Sequence, residues 1–496
     1  MQKTEQLTLD LGREYTLPPL RKAKGYRGLA AFHKYWGKKP VEVWNFLIEH
    51  LTIEGDVVLD PFLGSGLVAR ESVKLSRPFI GFDINPFSIE LAKFYVVLTE
   101  YEELKKAIEE IKRNLMPDIE DLYKLSTGEI ASHFLWEKNK ITRVWTKKRN
   151  KRTEISLSND EIHFLEIEAK KRIDTEISLN FFNNSRINSH TDISVNDLFS
   201  ARAILLIEKL QSSFEKYPDN ISTSLQFILT ASLGQMSNMV FAITRRGKTK
   251  GIERERTEVG SWVIGYWQPK KHFEINAWNC FENKAKKLLK AIKHIEQLQE
   301  INLVPSMKNF GDSYQDIYLK TGDSERLLAE IPSDTIKLIV TDPPHGDRIP
   351  YLELSEMWNA FLGFQADFEN ELVVSNAKGR GKGINEYNEK FSSILNECVR
   401  VLDKNGVLAI IFNARGIDSW KSLEKLDKIK DLEYLGHYPM EYSAGSVVQD
   451  NRKGSLKSDY VLLYGKKITK QYKKNTLAVL SSSKFWDEKY PIKEKY

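Results

Sequence analysis

Cysteine is nearly missing from this 496-residue chain: only Cys280 and Cys398 occur, far apart in the sequence. Counting alone rules out a disulfide framework and a cysteine-rich zinc site, and two isolated thiols fit a reducing compartment. Long apolar runs are lacking as well, since no stretch approaches the ~20 residues that spanning a bilayer requires. The opening segment Met1–Asp10 is polar with no apolar centre, unlike a signal peptide. A cytoplasmic protein with no membrane partner is therefore expected. There is little charge bias either: 74 Lys and Arg stand against 68 Asp and Glu, a net +6. A polyanionic partner must accordingly be argued from local clusters. The glycine spacing matches neither the pyrophosphate fingerprint Gly-x-Gly-x-x-Gly nor a P-loop. What remains is an ordinary globular composition, 41% hydrophobic and 29% charged, in a chain long enough for two or three domains.

The first strong pattern is helical, with Val41, Val43, Trp44, Leu47 and Ile48 recurring on one face. Asp56–Asp60 (DVVLD) then reads as a buried parallel strand ending in an acid, and Arg77–Asp83 (RPFIGFD) as a second one. A glycine-bearing turn and a helix separate them, and Asn85-Pro86 opens another helix. This β–loop–α–β–α order begins a doubly wound sheet. Beyond residue 100 the pattern turns to amphipathic helix, as in Leu104–Leu115 and Ala285–Leu298. Strand signals return at Ile336–Asp342, Val407–Phe412 and Tyr460–Tyr464, with a helix over Asn385–Leu402. The expected architecture is α/β, a Rossmann-like doubly wound seven-stranded sheet with a large, mostly helical insertion. Residues 1–24 form a flexible arm, 25–100 the first part of the sheet domain, 101–310 the insertion, 311–470 the second part and 471–496 a tail.

Three strand ends carry chemistry. Asp60-Pro61-Phe62-Leu63-Gly64-Ser65-Gly66 lies between a strand and a helix, where glycines let backbone approach a ligand at a helix N-terminus. Asp83 ends the next strand, where a carboxylate can hold ribose hydroxyls. Thr341-Asp342-Pro343-Pro344-His345 ends a third. Its prolines fix the backbone and supply no N–H donors. The Asp342 carboxylate and the Pro343 carbonyl can accept the two protons of a planar amine, and His345 can stack on its ring.

Taken together and in order, these segments resemble motifs I, II and IV of the amino-directed DNA methyltransferases. His33-Lys34-Tyr35-Trp36-Gly37-Lys38-Lys39-Pro40 resembles the motif X segment that the family places ahead of motif I, and Leu319–Ser324 (LKTGDS) the segment bearing an acid for the cofactor adenine, here Asp323. The stretches TDPPHGDRIPYLELSEMWNAFLG and PKKHFEINAW are similar to one bacterial subgroup of DNA adenine methylases. The resemblance covers residues 25–100 and 265–465. It implies S-adenosyl-L-methionine as cofactor, held by His33, Lys34, Tyr35, Trp36, Asp60, Pro61, Phe62, Gly64, Ser65, Gly66, Asp83, Asn85 and Asp323. Asp342, Pro343, Pro344 and His345 are implied to be catalytic. Two departures stand out: His345 replaces the family's usual Tyr, Phe or Trp, and imidazole stacks less strongly while titrating near neutrality. The cysteine-rich ribbon of some relatives is also missing.

The methyl group of a sulfonium is already activated, so no metal and no covalent nucleophile is required, only alignment and desolvation. A target amine inside a stacked pair must be turned out into the pocket. Adenine N6 is favoured, because amino-cytosine enzymes more often carry Ser where Asp342 stands. Arg143, Lys147, Lys148, Arg149, Lys151 and Arg152, interleaved with Trp145, form one basic cluster, and Arg245, Arg246, Lys248 and Lys250 form a second on what reads as a loop. Both suit DNA phosphates. Trp262, Tyr266 and Trp267 are candidate wedge or stacking residues, and Tyr351, Glu353, Trp358 and Asn413 are candidate pocket residues. Gln6–Leu11 (QLTLDL) resembles the peptides that bind the bacterial sliding clamp. A restriction or phage-defence partner and a bacterial, nucleoid-associated setting are expected from the resemblance. The alternatives are a cytosine N4 DNA methyltransferase, an RNA amino-methyltransferase, and a catalytically inactive DNA-binding homologue.

Overall fold

The computed structural model describes residues 26–148, 151–249, 252–262, 265–295, 298, 300–346, 349–412, 423, 425–429, 432–441 and 458–466. After a short 3-10 turn at Gly28–Ala31, α1 (Val41–Leu51) leads into β1 (Val58–Asp60), α2 (Leu67–Lys74), β2 (Phe79–Asp83) and α3 (Pro86–Val96). Helix α4 (Tyr101–Tyr123) leaves the sheet. A meander of β3 (Ala131–Glu137), β4 (Lys140–Lys148) and β5 (Lys151–Ile155) precedes α5 (Asn159–Lys170), α6 (Val195–Leu198), α7 (Ala201–Phe214) and α8 (Asp219–Met236). The hairpin β6 (Val240–Thr249) and β7 (Ile252–Trp262), then β8 (Lys271–Ile275) and α9 (Ala277–Lys293), complete this middle part. The chain returns through β9 (Asn302–Leu303), β10 (Asp316–Thr321), α10 (Ser324–Leu328), β11 (Ile336–Thr341), α11 (Tyr351–Phe361) and α12 (Ile384–Val401). It ends, among the described residues, with β12 (Leu402–Phe412), β13 (Leu432–Glu441) and β14 (Ser458–Lys466).

The strands near the two ends of the chain form one sheet in the order β13-β14-β12-β11-β1-β2-β10-β9. From β9 to β12 all neighbours run parallel, and β14 lies antiparallel between β12 and β13. That makes eight strands rather than the seven expected, the extra one being the two-residue β9 at the edge. Alternate side chains enter two separate cores. Val58, Phe79, Leu338, Val340 and Ala409 face α1, α2 and α3, whereas Leu59, Ile80, Phe82, Ile339 and Ile410 face α10 and α12. With both faces covered, the strands have no polar side to present, which is why they read as unbroken apolar runs. From β1 the chain builds outward through β2 to β10, then returns to β11 on the other side of β1. The strand order therefore reverses between β1 and β11, and ligands of such sheets bind beyond the carboxyl ends of the strands at this point.

The middle part holds helices α4 to α9 and adds strands that were not expected. It contains a second, six-stranded sheet in the order β5-β4-β3-β8-β6-β7, antiparallel throughout. Arg143, Lys147 and Lys148 lie on its β4, and Lys151 and Arg152 on its β5. Arg245, Arg246 and Lys248, read as loop, sit in the β6–β7 ladder opposite Arg256, Glu255 and Glu253. Runs of charge such as Lys147-Lys148 and Arg245-Arg246 interrupt the apolar alternation by which a strand is recognised. One continuous apolar core runs from the α1–α3 face of the large sheet into α4, α7, α8 and α9.

A buried ion pair fixes the second sheet on its helices. The Arg202 guanidinium meets both Glu274 oxygens, at 3.1 and 2.9 Å, and donates to the Leu165 carbonyl at 2.8 Å, while Trp136 Nε1 donates to Glu274 at 2.9 Å. Side-chain exposure of the pair is 3% and 0%, so removing one partner strands a charge in a dry core. Arg202→Met is expected to cost about 3–5 kcal/mol, measured by urea unfolding; a loss below about 1 kcal/mol, the scale of an exposed pair, would contradict this account.

Candidate active site

Four strand ends converge at the switch point. Asp60 closes β1, Asp83 closes β2, Asp323 follows β10 and Asp342 follows β11. The first and last are tied directly: Thr341 Oγ1 donates to Asp60 Oδ1 at 2.7 Å across 281 positions of sequence. Asp60 also accepts from the Phe62 backbone N–H at 3.0 Å. Burial pushes its carboxyl up to about 7, against the lowering effect of those two donors. Asp83 shapes the glycine turn, one oxygen accepting from Gly64 N–H at 2.7 Å and the other from Asn85 N–H at 2.8 Å. Burial raises it to about 6. Asn85 caps α3 through Phe87 N–H, with Pro86 at the first helical position, as such a start favours. Gly66 sits at φ 72° before α2, and a Cβ there would lie 2.5 Å from Cβ of Ala92. Only glycine allows α2 and α3 to approach this closely.

These ends line one cavity with about 790 Å³ of empty space, mouth included. Of the residues expected to hold a cofactor, Tyr35, Trp36, Asp60, Phe62, Gly64, Ser65, Asp83, Asn85 and Asp323 face it; His33, Lys34, Pro61 and Gly66 do not. His33 is instead buried among Phe87, Phe227 and Trp358, with Nε2 3.1 Å from Thr230 Oγ1. Burial drives its imidazole down to about 3. Asp323 is engaged by Lys390 at 2.9 Å and caps α10.

Asp342 and Pro344 line the same cavity, with Tyr351 and Leu352 beside them. Pro343 is buried, and the Pro344 carbonyl accepts from Tyr387. The structure differs from the expectation for His345. The imidazole is 6% exposed and turned inward, 3.2 Å from the Ile411 carbonyl and edge-on to Phe412. Its Nε2 also lies 3.2 Å from Asp342 Oδ1. It therefore braces the acid from behind, where it has no face to offer a base in the cavity.

Sequence reasoning quoted Lys39 within its motif but gave it no role. The structure puts its ammonium 2.9 Å from Asp342 and 3.0 Å from Asp459, a residue also missed. Lys39 is 5% exposed and Asp459 1%. Burial alone would depress the Lys39 ammonium, but Asp342 and Asp459 outweigh it and hold it above the ordinary lysine range. No signal at Asp459, in a strand remote from the motifs, pointed to this contact; the pair of lysines before Pro40 was the only sign available. Glu371, on the cavity wall, is held by Arg380 at 2.6 Å, and Arg380 also lies 3.3 Å from Glu353. Glu353 is thus buried away from the cavity, and Trp358 stacks on Trp36 behind it.

Tyr266 is buried and donates to the Glu353 carbonyl at 2.7 Å, while Trp267 is 47% exposed. In the basic hairpin, Lys147 faces Arg152 and Lys148 faces Lys151 across the ladder. Arg143 pairs with Glu154 and lies over the Trp145 ring at 4.8 Å. Gln6–Leu11, Arg149, Lys250, Asn413 and the tail from 471 lie outside the described residues.

The ends of four parallel strands thus bring Asp60, Asp83, Asp323 and Asp342 to one cavity of an α/β fold. Residues 7–94 match the family model described as DNA methylase. The type II methyltransferase M.MjaII of Methanocaldococcus jannaschii is 22% identical over 440 residues, covering 82% of this chain and 76% of its own. M2.DpnII of Streptococcus pneumoniae is 38% identical over 64 residues, 12% of this chain and 24% of that one, and M.HpaI of Haemophilus parainfluenzae 45% over 56 residues, 11% and 18%. An rRNA methyltransferase from Streptomyces viridochromogenes aligns at 10% identity with a TM-score of 0.25, too low to bear on the fold. The chain is thus related to the N6/N4 DNA methyltransferases, and the resemblance carried by its motifs stands.

The Lys39 triad makes its own prediction. Lys39→Met leaves two acids facing each other in a largely dry site and is expected to cost about 3 kcal/mol or more. Adding Asp459→Asn should recover part of that loss, a coupling that a double-mutant cycle of unfolding free energies reads directly. Additive losses would show that the three groups do not act together.

Proposed function

We propose that this chain transfers a methyl group from S-adenosyl-L-methionine to the exocyclic N6 of an adenine turned out of duplex DNA. The observation that supports this most is the single cavity shared by the Gly64-Ser65 turn and by Asp342-Pro344. The chemistry of its lining fits the cofactor. Asp83 and Asp60 suit hydroxyls and positive charge, Phe62, Ile84 and Leu372 suit a ring, and Trp36 Nε1 and Asn85 Nδ2 are buried donors with no hydrogen-bond partner among the described residues. When bound, the sulfonium supplies an activated methyl group, which needs no metal. Lys39 fixes one Asp342 oxygen. The other lies 3.2 Å from His345 Nε2, and the carboxylate, on the cavity wall, is the acceptor for an amino proton. The family contact of Asp323 with the cofactor adenine then runs beside Lys390, which already holds that carboxylate.

In this reading residues 101–310 recognise the target. Like charges opposite each other in a ladder are unfavourable, so Lys147–Arg152 and Lys148–Lys151 on the β4–β5 hairpin favour a polyanion. Lys248, by contrast, stands opposite Glu253 and Arg246 opposite Glu255. Amino-directed chemistry is common to adenine N6 and cytosine N4, and Asp342 at the head of the motif favours adenine.

Modification-sensitive sequencing of DNA from cells expressing the chain should reveal N6-methyladenine in one sequence context, lost with Asp342→Ala. In vitro, that change should lower the rate by about a hundredfold or more. N4-methylcytosine, or methylation of RNA alone, would replace the proposal by one of its rivals. Cofactor affinity should also depend on pH. Below about 6 Asp83 is protonated, so binding should weaken roughly tenfold per pH unit, and Asp83→Asn should flatten the profile. The same shift works oppositely on the free protein. A carboxyl raised in the folded state binds protons better than in the unfolded chain, so its contribution to stability grows as pH falls from 7 toward 4. Calorimetric titration at pH 5 and 7.5 separates the two effects.

A further inference from the structure

Behind the aromatic wall of the first cavity lies a second one, with about 1250 Å³ of empty space, mouth included. It opens between the six-stranded sheet and helices α8 and α9. Lys34, Lys284 and Lys287 line it together with His133, Trp262 and Trp358, and no carboxylate among the described residues does. We propose that this second cavity binds a nucleotide, its phosphate on Lys34, Lys284 and Lys287 and its base against Trp262.

Several independent features support this. The Lys34 ammonium is housed by two indoles, 4.0 Å from the Trp262 ring centre and 4.5 Å from that of Trp36, and such rings stabilise a cation without neutralising it. Among the described residues Lys284 donates to a backbone oxygen alone, that of Phe32, at 3.3 Å. Burial, followed by the neighbouring lysine in each case, lowers both ammonium groups to about 8. An assembly of cations without acids is unfavourable by itself, and a dianionic phosphate relieves it. The Trp262 ring lies against α8 because Gly234 has no side chain; a Cβ there would sit 2.4 Å from the indole. The charge of the basic hairpin reaches the cavity too, since Arg152 and Lys147 act, after burial, to lower His133 on its wall. Trp36 borders the first cavity and stacks at 5.9 Å on Trp358 of the second. A nucleotide here would lie one side-chain layer from the proposed target base.

Two sources offer this chemistry, a nucleotide unit of a DNA strand and a free nucleotide. The full chain would be titrated with deoxyadenosine monophosphate, inorganic phosphate and a labelled single-stranded oligonucleotide, following tryptophan fluorescence and anisotropy. Lys284→Met, Lys287→Met and Trp262→Leu are the variants, with urea unfolding as the check on folding; Lys287 is exposed, so its replacement leaves the core intact. Deoxyadenosine monophosphate should bind more tightly than phosphate, and each variant should weaken it about tenfold, the size of one charge-assisted contact. If the variants weaken the oligonucleotide equally and it competes, the occupant is a strand; if only the mononucleotide responds, it is free. Nucleotide binding that is unaffected by all three variants, that depends on Asp83 instead, or that is undetectable at millimolar concentration overturns the proposal. Failure of cofactor binding or methylation, with Lys284-dependent nucleotide binding kept, would count against the proposed methyl transfer alone.

Discussion

The site depends on the place of β1 in its sheet. This strand is only Val58–Asp60, yet it pairs with β2 on one side and β11 on the other, so the three acids that follow have no choice but to lie together. The bond from Thr341 to Asp60 locks the last and most distant of these ends. Every other feature of the cavity is built on that register: the glycine turn drawn onto Asp83, the proline loop held over Asp342, and Lys39 reaching across to a fifth strand end at Asp459. A slip of one residue in β11 would turn Thr341 to the opposite face and break the link.

The parts legible in the sequence were those whose physics is local. Buried parallel strands announce themselves as apolar runs, and turns by glycine and proline, so the strand ends at Asp60, Asp83 and Asp342 could be placed before any coordinates. The β4–β5 and β6–β7 hairpins were not legible, because runs of charge such as Lys147-Lys148 and Arg245-Arg246 break the apolar alternation that marks a half-buried strand. Lys39 was missed for a related reason. Its meaning resides in Asp342 and Asp459, both remote in sequence, and a lysine beside a proline looks like a solvated one.

His345 shows how a motif can keep its backbone and change its side chain's task. In the turn after two prolines, an imidazole is small enough to fold back between Phe412 and Asp342. Among the rings that line the cavity is Tyr351, from the start of the next helix, stacked on Tyr35 with centres 6.4 Å apart. The aromatic surface that the proline loop lacks is supplied from nearby in the chain.

The apolar core that passes without interruption from the large sheet into α7, α8 and α9 has a bearing on how such a molecule can diversify. A module joined by a linker can be exchanged whole, carrying its preferences to a new host. Here, among the described residues, no cut separates the two halves without exposing buried leucine and phenylalanine on both. Change that keeps this fold therefore falls on exposed strands such as β5, while the shared interior stays as it is.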